Sequence, residues 1–165
     1  MFKIAIVAVA VLFAAPVEAQ TLWRNIELGM TVARLHELYP AAQHVKYEAA
    51  ETLLEEVAIT PECEAQVHIH HPAGTVERVV LRGGAAMGGR CANRVLDALA
   101  ARYGQAAARE ERQGILRRPS QDHIWNHNGI MIRFRRFGGN QWGGGGLLRA
   151  SWEISYSAVD ASIDV

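Results

Sequence analysis

The residues of this chain best suited to metal chemistry are its seven histidines. His68-x-His70-His71 places two imidazoles, His68 and His70, on one face of an extended segment, about 6.6 Å apart by the strand rise. A transition metal held there needs a third ligand, and His36, His44, His123 and His127 are the candidates. No carboxylate-rich or Cys-rich spacing accompanies the pair, so solvent-facing strand histidines are the competing reading. Nucleophilic chemistry finds less support. No Gly-x-Ser-x-Gly elbow surrounds Ser120, Ser151, Ser155, Ser157 or Ser162. Adjacent acids at Glu55-Glu56 and Glu110-Glu111 would point to opposite faces of a strand, which gives no acid–base pair. The glycine run at 83–89 carries neither GxGxxG nor Gly-Lys-Ser/Thr, and reads as a flexible joint rather than a phosphate cradle. No catalytic residue and no cofactor is expected.

A binding surface is the stronger candidate. Residues 138–146 contain six glycines and Trp142. An exposed Trp is costly unless it packs or binds, and Trp is over-represented among contact anchors. Arg133, Arg135 and Arg149 lie close in sequence on the polar positions of the flanking strands. Trp142 with these three arginines would make an aromatic-plus-arginine surface; the bland alternative folds Trp142 back over the sheet edge.

These groups must be positioned by a modest set of elements. Thr31 reads as the N-cap of a short helix over 31–39, with Val32, Leu35, Leu38 and Tyr39 on one face and Pro40 as its stop. Two turns cannot stand alone in water, so that face must lie on a sheet. Trp23, in the lead before it, is expected to pack on this helix. Strands are expected at 52–59, 65–71 and 75–82, the last two joined by a Pro72-Ala73-Gly74 turn. Alternation in the first is weak, and a helix over 47–57 competes with it. Residues 90–103 carry apolar positions at a period near 3.6 and end at Gly104, a second helix. A strand at 114–117, then strands at 122–127, 130–137 and 147–157, follow; Asn128-Gly129 between two of them is a hairpin signal because both residues tolerate positive φ.

At 165 residues with 21% charged and half hydrophobic, the chain is a globular protein of one domain or two very small ones. Its N-terminus differs from the rest. Lys3, the apolar run 4–15 and small residues at Val17 and Ala19 make residues 1–19 a secretory signal peptide, cut after Ala19. The run is too short to span a membrane comfortably, and no stable insertion is expected after cleavage. Between 20 and 64 there are 8 acids and 3 bases, and between 65 and 149 there are 5 acids and 13 bases. The formal net charge is nevertheless zero, which with export makes nucleic acid a poor partner. In an exported chain the only two cysteines, Cys63 and Cys91, read as one disulfide, whose loop is worth ~3 kcal/mol in the chain-entropy model. It would tie the first sheet to the start of the second helix. Free thiols or a metal pair are the alternatives.

A partial echo at a spacing of 64 links the two helices: Leu35-x-x-x-Tyr39-Pro40 against Leu99-x-x-x-Tyr103-Gly104. The expected fold is therefore α+β, two tandem repeats of a short helix followed by an antiparallel three-stranded sheet. The first occupies 20–84 and the second 85–157, with 158–165 a flexible tail. Ile26-x-Leu28-Gly29-Met30-Thr31-x-x-x-Leu35, closed by Tyr39-Pro40, resembles the opening helix of a periplasmic superfamily. That superfamily comprises the small outer-membrane-assembly lipoproteins (SmpA/OmlA) and the β-lactamase-inhibitor-protein fold. The resemblance implies an exported fold of tandem helix-plus-sheet units that grips another protein. No N-terminal Cys for lipidation stands at the cleavage region, and Met87-Gly88-Gly89-Arg90 replaces Gly-Met-Thr in the second half. The expectation is thus a periplasmic or secreted, non-catalytic binding or scaffold module for another envelope or secreted protein. A small metal- or ligand-binding protein using His68 and His70 is the alternative.

Overall fold

The computed structural model describes residues 20–44, 50–84, 90–113, 119–137 and 150–159. A small hairpin comes first, β1 (Thr21–Trp23) with β2 (Ile26–Glu27). Helix α1 (Val32–Leu38) follows, then the short β3 (Gln43–His44) and the long strands β4 (Glu51–Thr60), β5 (Cys63–His70) and β6 (Arg78–Gly84). Helix α2 (Arg90–Tyr103) leads into β7 (Ala108–Gln113), β8 (Pro119–His127), β9 (Ile130–Arg136) and β10 (Ala150–Ala158).

Two tandem helix-plus-three-strand repeats are not what the chain forms. β6 and β10 pair antiparallel from Arg78↔Ser157 to Gly84↔Ala150, fusing everything after β2 into one eight-stranded sheet of order β3-β4-β5-β6-β10-β9-β8-β7. The protein is mostly β. The reason is visible in β6: Val79, Val80 and Leu81 are buried in succession, and Val80, on the polar side, lies between His68 and Ser155 of strands paired on both edges, as in a central strand. A three-stranded sheet ending there would leave its backbone donors and acceptors as an open edge.

The apolar residues of the strands gather on one face. Val67, Leu81, Ile154 and Phe134 form one row across it, and Ile69, Val79, Tyr156, Ile132 and Trp125 the next. Leu22 and Ile26 of the hairpin, Leu35 of α1, and Ala92, Val95 and Leu99 of α2 complete the same core, so hairpin and helices all lie on this side. The other face is the polar one, and neither helix crosses it.

Local signals behave as their chemistry requires. The Thr31 hydroxyl accepts from the Arg34 amide at 3.3 Å, capping α1, and Tyr39 closes it by donating to the Leu35 carbonyl at 2.9 Å. Only Leu35 of this helix is fully buried. Asn128 and Gly129 take φ of +50° and +76°, the mirror-type hairpin turn. Residues 51–60 are strand, not helix, and their broken alternation has a cause. Leu54 pairs with Val67 but Val57 with Ala65, so β4 carries one extra residue, a bulge in which Glu56 has φ +53° and both Glu55 and Glu56 are exposed.

The strand expected at 114–117 falls outside the described residues; the edge strand lies earlier, at Ala108–Gln113. Gly83 and Gly84 belong to β6 rather than to a flexible joint, and 85–89 lie outside the description. Trp23 lines a cleft with Leu99, Arg102 and Tyr103 of α2 and packs against the core that also takes in Leu35 of α1. The Cys63–Cys91 disulfide is formed, with Cα atoms 5.6 Å apart, and joins the start of β5 to the first turn of α2.

Candidate functional site

The polar face carries an ordered set of charges. Registers across the central strands line up Gln66, Arg82, Glu153, Arg135 and Asp122, one from each of β5, β6, β10, β9 and β8. Arg82 Nε donates to Glu153 Oε2 at 3.1 Å. Arg135 Nε donates to Asp122 Oδ1 at 3.1 Å, and Arg133 Nε to Asp122 Oδ2 at 3.0 Å, with the Arg133 Nη2 contact shorter still. Asp122 has 0% exposure, while its arginines keep 24% and 29% of their side chains in solvent. Burial alone would raise the Asp122 pKa; the hydrogen bonds from Arg135 and Arg133 outweigh it and hold the carboxyl below its ordinary value. One buried carboxylate thus aims two guanidiniums. Arg135 also lies over the Phe137 ring at 6.0 Å, and Phe137 is exposed.

Two of the expected binding residues, Arg133 and Arg135, are therefore brought together on one face. Trp142 and Arg149 lie outside the described residues. What the sequence reading missed is Asp122, the residue that positions both arginines. Its signal was parity: with Trp125 facing the core, Asp122 falls on the opposite face, two strand positions from Ile124.

Further along the same face, Glu51 on β4 stands across from His70 on β5 and is nearly buried. Its carboxylate contacts Nδ1 of His68 closely and Nδ1 of His70 at 3.7 Å. Both Nε2 atoms are buried and, among the described residues, without a hydrogen-bond partner. Burial, then the positive charge of Arg78, lowers the His70 pKa, and the opposing pull of Glu51 is outweighed. His68 and His70 do share a face, turned toward a carboxylate. Of the suggested third ligands, His123 and His127 lie on the core side, stacked near Trp125 and against Tyr103 respectively. His36 sits on α1, also on that side, and the His44 side chain is outside the description. Among the described residues, no group of three or more His, Cys, Asp or Glu is placed to hold a metal ion.

On the core side, a cleft opens between the β1–β2 hairpin and the end of α2. Its larger lobe measures about 510 Å³ and its smaller about 240 Å³, and the two share Trp23, Arg24, Arg102 and Tyr103. No helix among the described residues is long and apolar enough to cross a membrane.

No family model, curated protein or solved structure matches the chain.

Proposed function

We propose that the protein is an exported, non-catalytic binding module that holds another envelope or secreted protein on the polar face of its sheet. The observation that carries this reading is Asp122, fully buried beneath Arg133 and Arg135. A protein surface usually leaves arginines to wander, and docking must then freeze them at about 0.5–1.5 kcal/mol each. Here the acid has already fixed both, and each guanidinium still reaches solvent, where a partner's carboxylates or carbonyls can approach it. Arg82 and Glu153 extend the same row, so the face offers charges of both signs in set positions. The disulfide is compatible with an oxidising compartment and so with export.

Site-directed photocrosslinking in the producing cell tests the reading. A benzophenone residue at Ser155, in the middle of the polar face, should give an adduct of one defined mass. The same residue at Asp97, on α2, should not. No adduct from Ser155, or equal adducts from both positions, would remove the polar face from consideration.

A further inference from the structure

The cleft on the core side is built from cations and rings. At the hairpin tip Arg24 adopts φ +52°, which turns its guanidinium over the Trp23 ring at 4.5 Å, while Nη2 donates to the Ala58 carbonyl at 2.8 Å. On the facing wall, in the last turn of α2, Arg102 lies over the Tyr103 ring at 5.3 Å. Both arginines line both lobes, and no carboxylate lines either lobe among the described residues. Neither guanidinium is ion-paired within the described part of the chain. Two like charges therefore share one concavity without a counter-charge, an arrangement that an anion relieves.

The floor is apolar and aromatic, with Ile132 under one lobe and Leu99 and Tyr156 under the other. Burial, reinforced by Tyr103, pushes the Tyr156 phenol above its ordinary value, so its hydroxyl stays neutral and adds no negative charge to the cleft. The larger lobe falls within the roughly 300–1,000 Å³ of small-molecule sites. Trp23 and Tyr103 bring two aromatic rings to the same cleft, against which a flat aromatic ligand can pack.

We propose that this cleft binds a small aryl carboxylate, its carboxylate between Arg24 and Arg102 and its ring against Trp23 and Tyr103. The site is separate from the polar face, on the other side of the sheet. It needs no metal and none of the histidines of β5.

The test is a titration of the full chain with 2-naphthoate, followed by heteronuclear NMR on the indole N–H of Trp23. The comparison ligands are 2-naphthylmethylammonium, of the same ring and opposite charge, and cyclohexanecarboxylate, of the same charge without the flat ring. Naphthoate should saturate and move the Trp23 signal, and each comparison ligand should bind roughly tenfold more weakly or worse. Arg102→Ala should weaken naphthoate by about tenfold, the loss of one charge-assisted hydrogen bond, while the ammonium ligand, relieved of one repelling charge, should bind no more weakly than before. Arg102→Lys should recover part of that. Both arginines are exposed, so these variants keep the fold, as an unchanged amide spectrum would verify. Equal binding of the two oppositely charged ligands, no saturation by naphthoate, or naphthoate binding indifferent to Arg102→Ala would each overturn the proposal.

Discussion

Replacing Gly83 by alanine separates two accounts of the same residue. As part of a flexible joint, Gly83 is a weakness of the strand, and alanine there should stabilise by about 0.5–1 kcal/mol through reduced backbone freedom. In the structure Gly83 sits in β6 opposite Trp152, and the space above its Cα is full. A Cβ built there lies 2.0 Å from Cε2, 2.1 Å from Cζ2 and 2.4 Å from Nε1 of the indole. Ordinary carbon–carbon contact needs about 3.5 Å or more, so the ring or the strand must move by over an ångström. Trp152 has 0% exposure and cannot step aside into solvent without leaving the core. Overpacking costs roughly 1–3 kcal/mol and losing a buried Trp roughly 3–5, which brackets Gly83→Ala at about 2–4 kcal/mol destabilising. The two accounts thus differ in sign. Urea unfolding followed by tryptophan fluorescence measures it. A double-mutant cycle with Trp152→Phe adds the specific test: the smaller ring should recover at least ~1 kcal/mol of the cost. A stabilised Gly83→Ala protein, or an equal penalty in both backgrounds, would refute the reasoning.

Three further outcomes follow from the geometry. Cys63→Ala with Cys91→Ala opens a loop of sequence separation 28 and should lower unfolding free energy by roughly 3 to 4 kcal/mol, read from the urea midpoint under non-reducing conditions; a change below about 1 kcal/mol would mean that the cross-link constrains little. Asp122→Ala strands Arg133 and Arg135 without their acid and should cost about 2 kcal/mol, less than a fully enclosed pair because both arginines reach solvent. Because the folded Asp122 carboxyl is held below 3.8, the wild type's share of that stability is present above this pH and disappears as pH falls beneath it, whereas Asp122→Ala should lack that acid limb. His70 and His123 run the other way from salt-bridged histidines: burial foremost, then Arg78 and Arg109, hold them below 6.5, so the unfolded chain takes up their protons first. Stability should therefore decline as pH falls below 6.5, and His70→Gln should flatten that decline; an unaltered slope between about pH 7 and 5 would count against His70's part in it.

Much of the local structure was legible because it depends on neighbours in sequence. A threonine before an apolar face caps a helix, Asn-Gly turns a hairpin, and strict alternation at 130–136 and 152–156 marks strands with one buried face. The pairing of the only two cysteines was legible from their count together with the expectation of export. Strand order was not. Alternation says which side of a strand is buried but nothing about which strand lies beside it, and the β6–β10 pairing spans more than sixty residues. The bulge at Glu55-Glu56 hid for a related reason, since one inserted residue looks like failed alternation until the partner strand is seen. The candidate site was half visible: Arg133 and Arg135 stood out as charges on a polar face, but Asp122 reads as just another polar strand residue until its register against both is known.

The unforeseen pairing also joins the two halves of the polar face. At the seam, successive register positions do opposite jobs: Trp152 opposite Gly83 packs into the core, and Glu153 opposite Arg82 forms an ion pair on the polar face. Because strand side chains alternate, a shift of one residue in this register would expose the indole and bury the carboxylate together. Gly83 is the position that fixes it, since an indole that fits only over a glycine cannot slide to Arg82 or Gly84 without losing its seat or its side of the sheet. The row from Arg82 through Glu153 and Arg135 to Asp122 crosses that seam. Two separate three-stranded sheets would have broken it between Arg82 and Glu153. Core packing on one side of β10 therefore sets the charge pattern on the other.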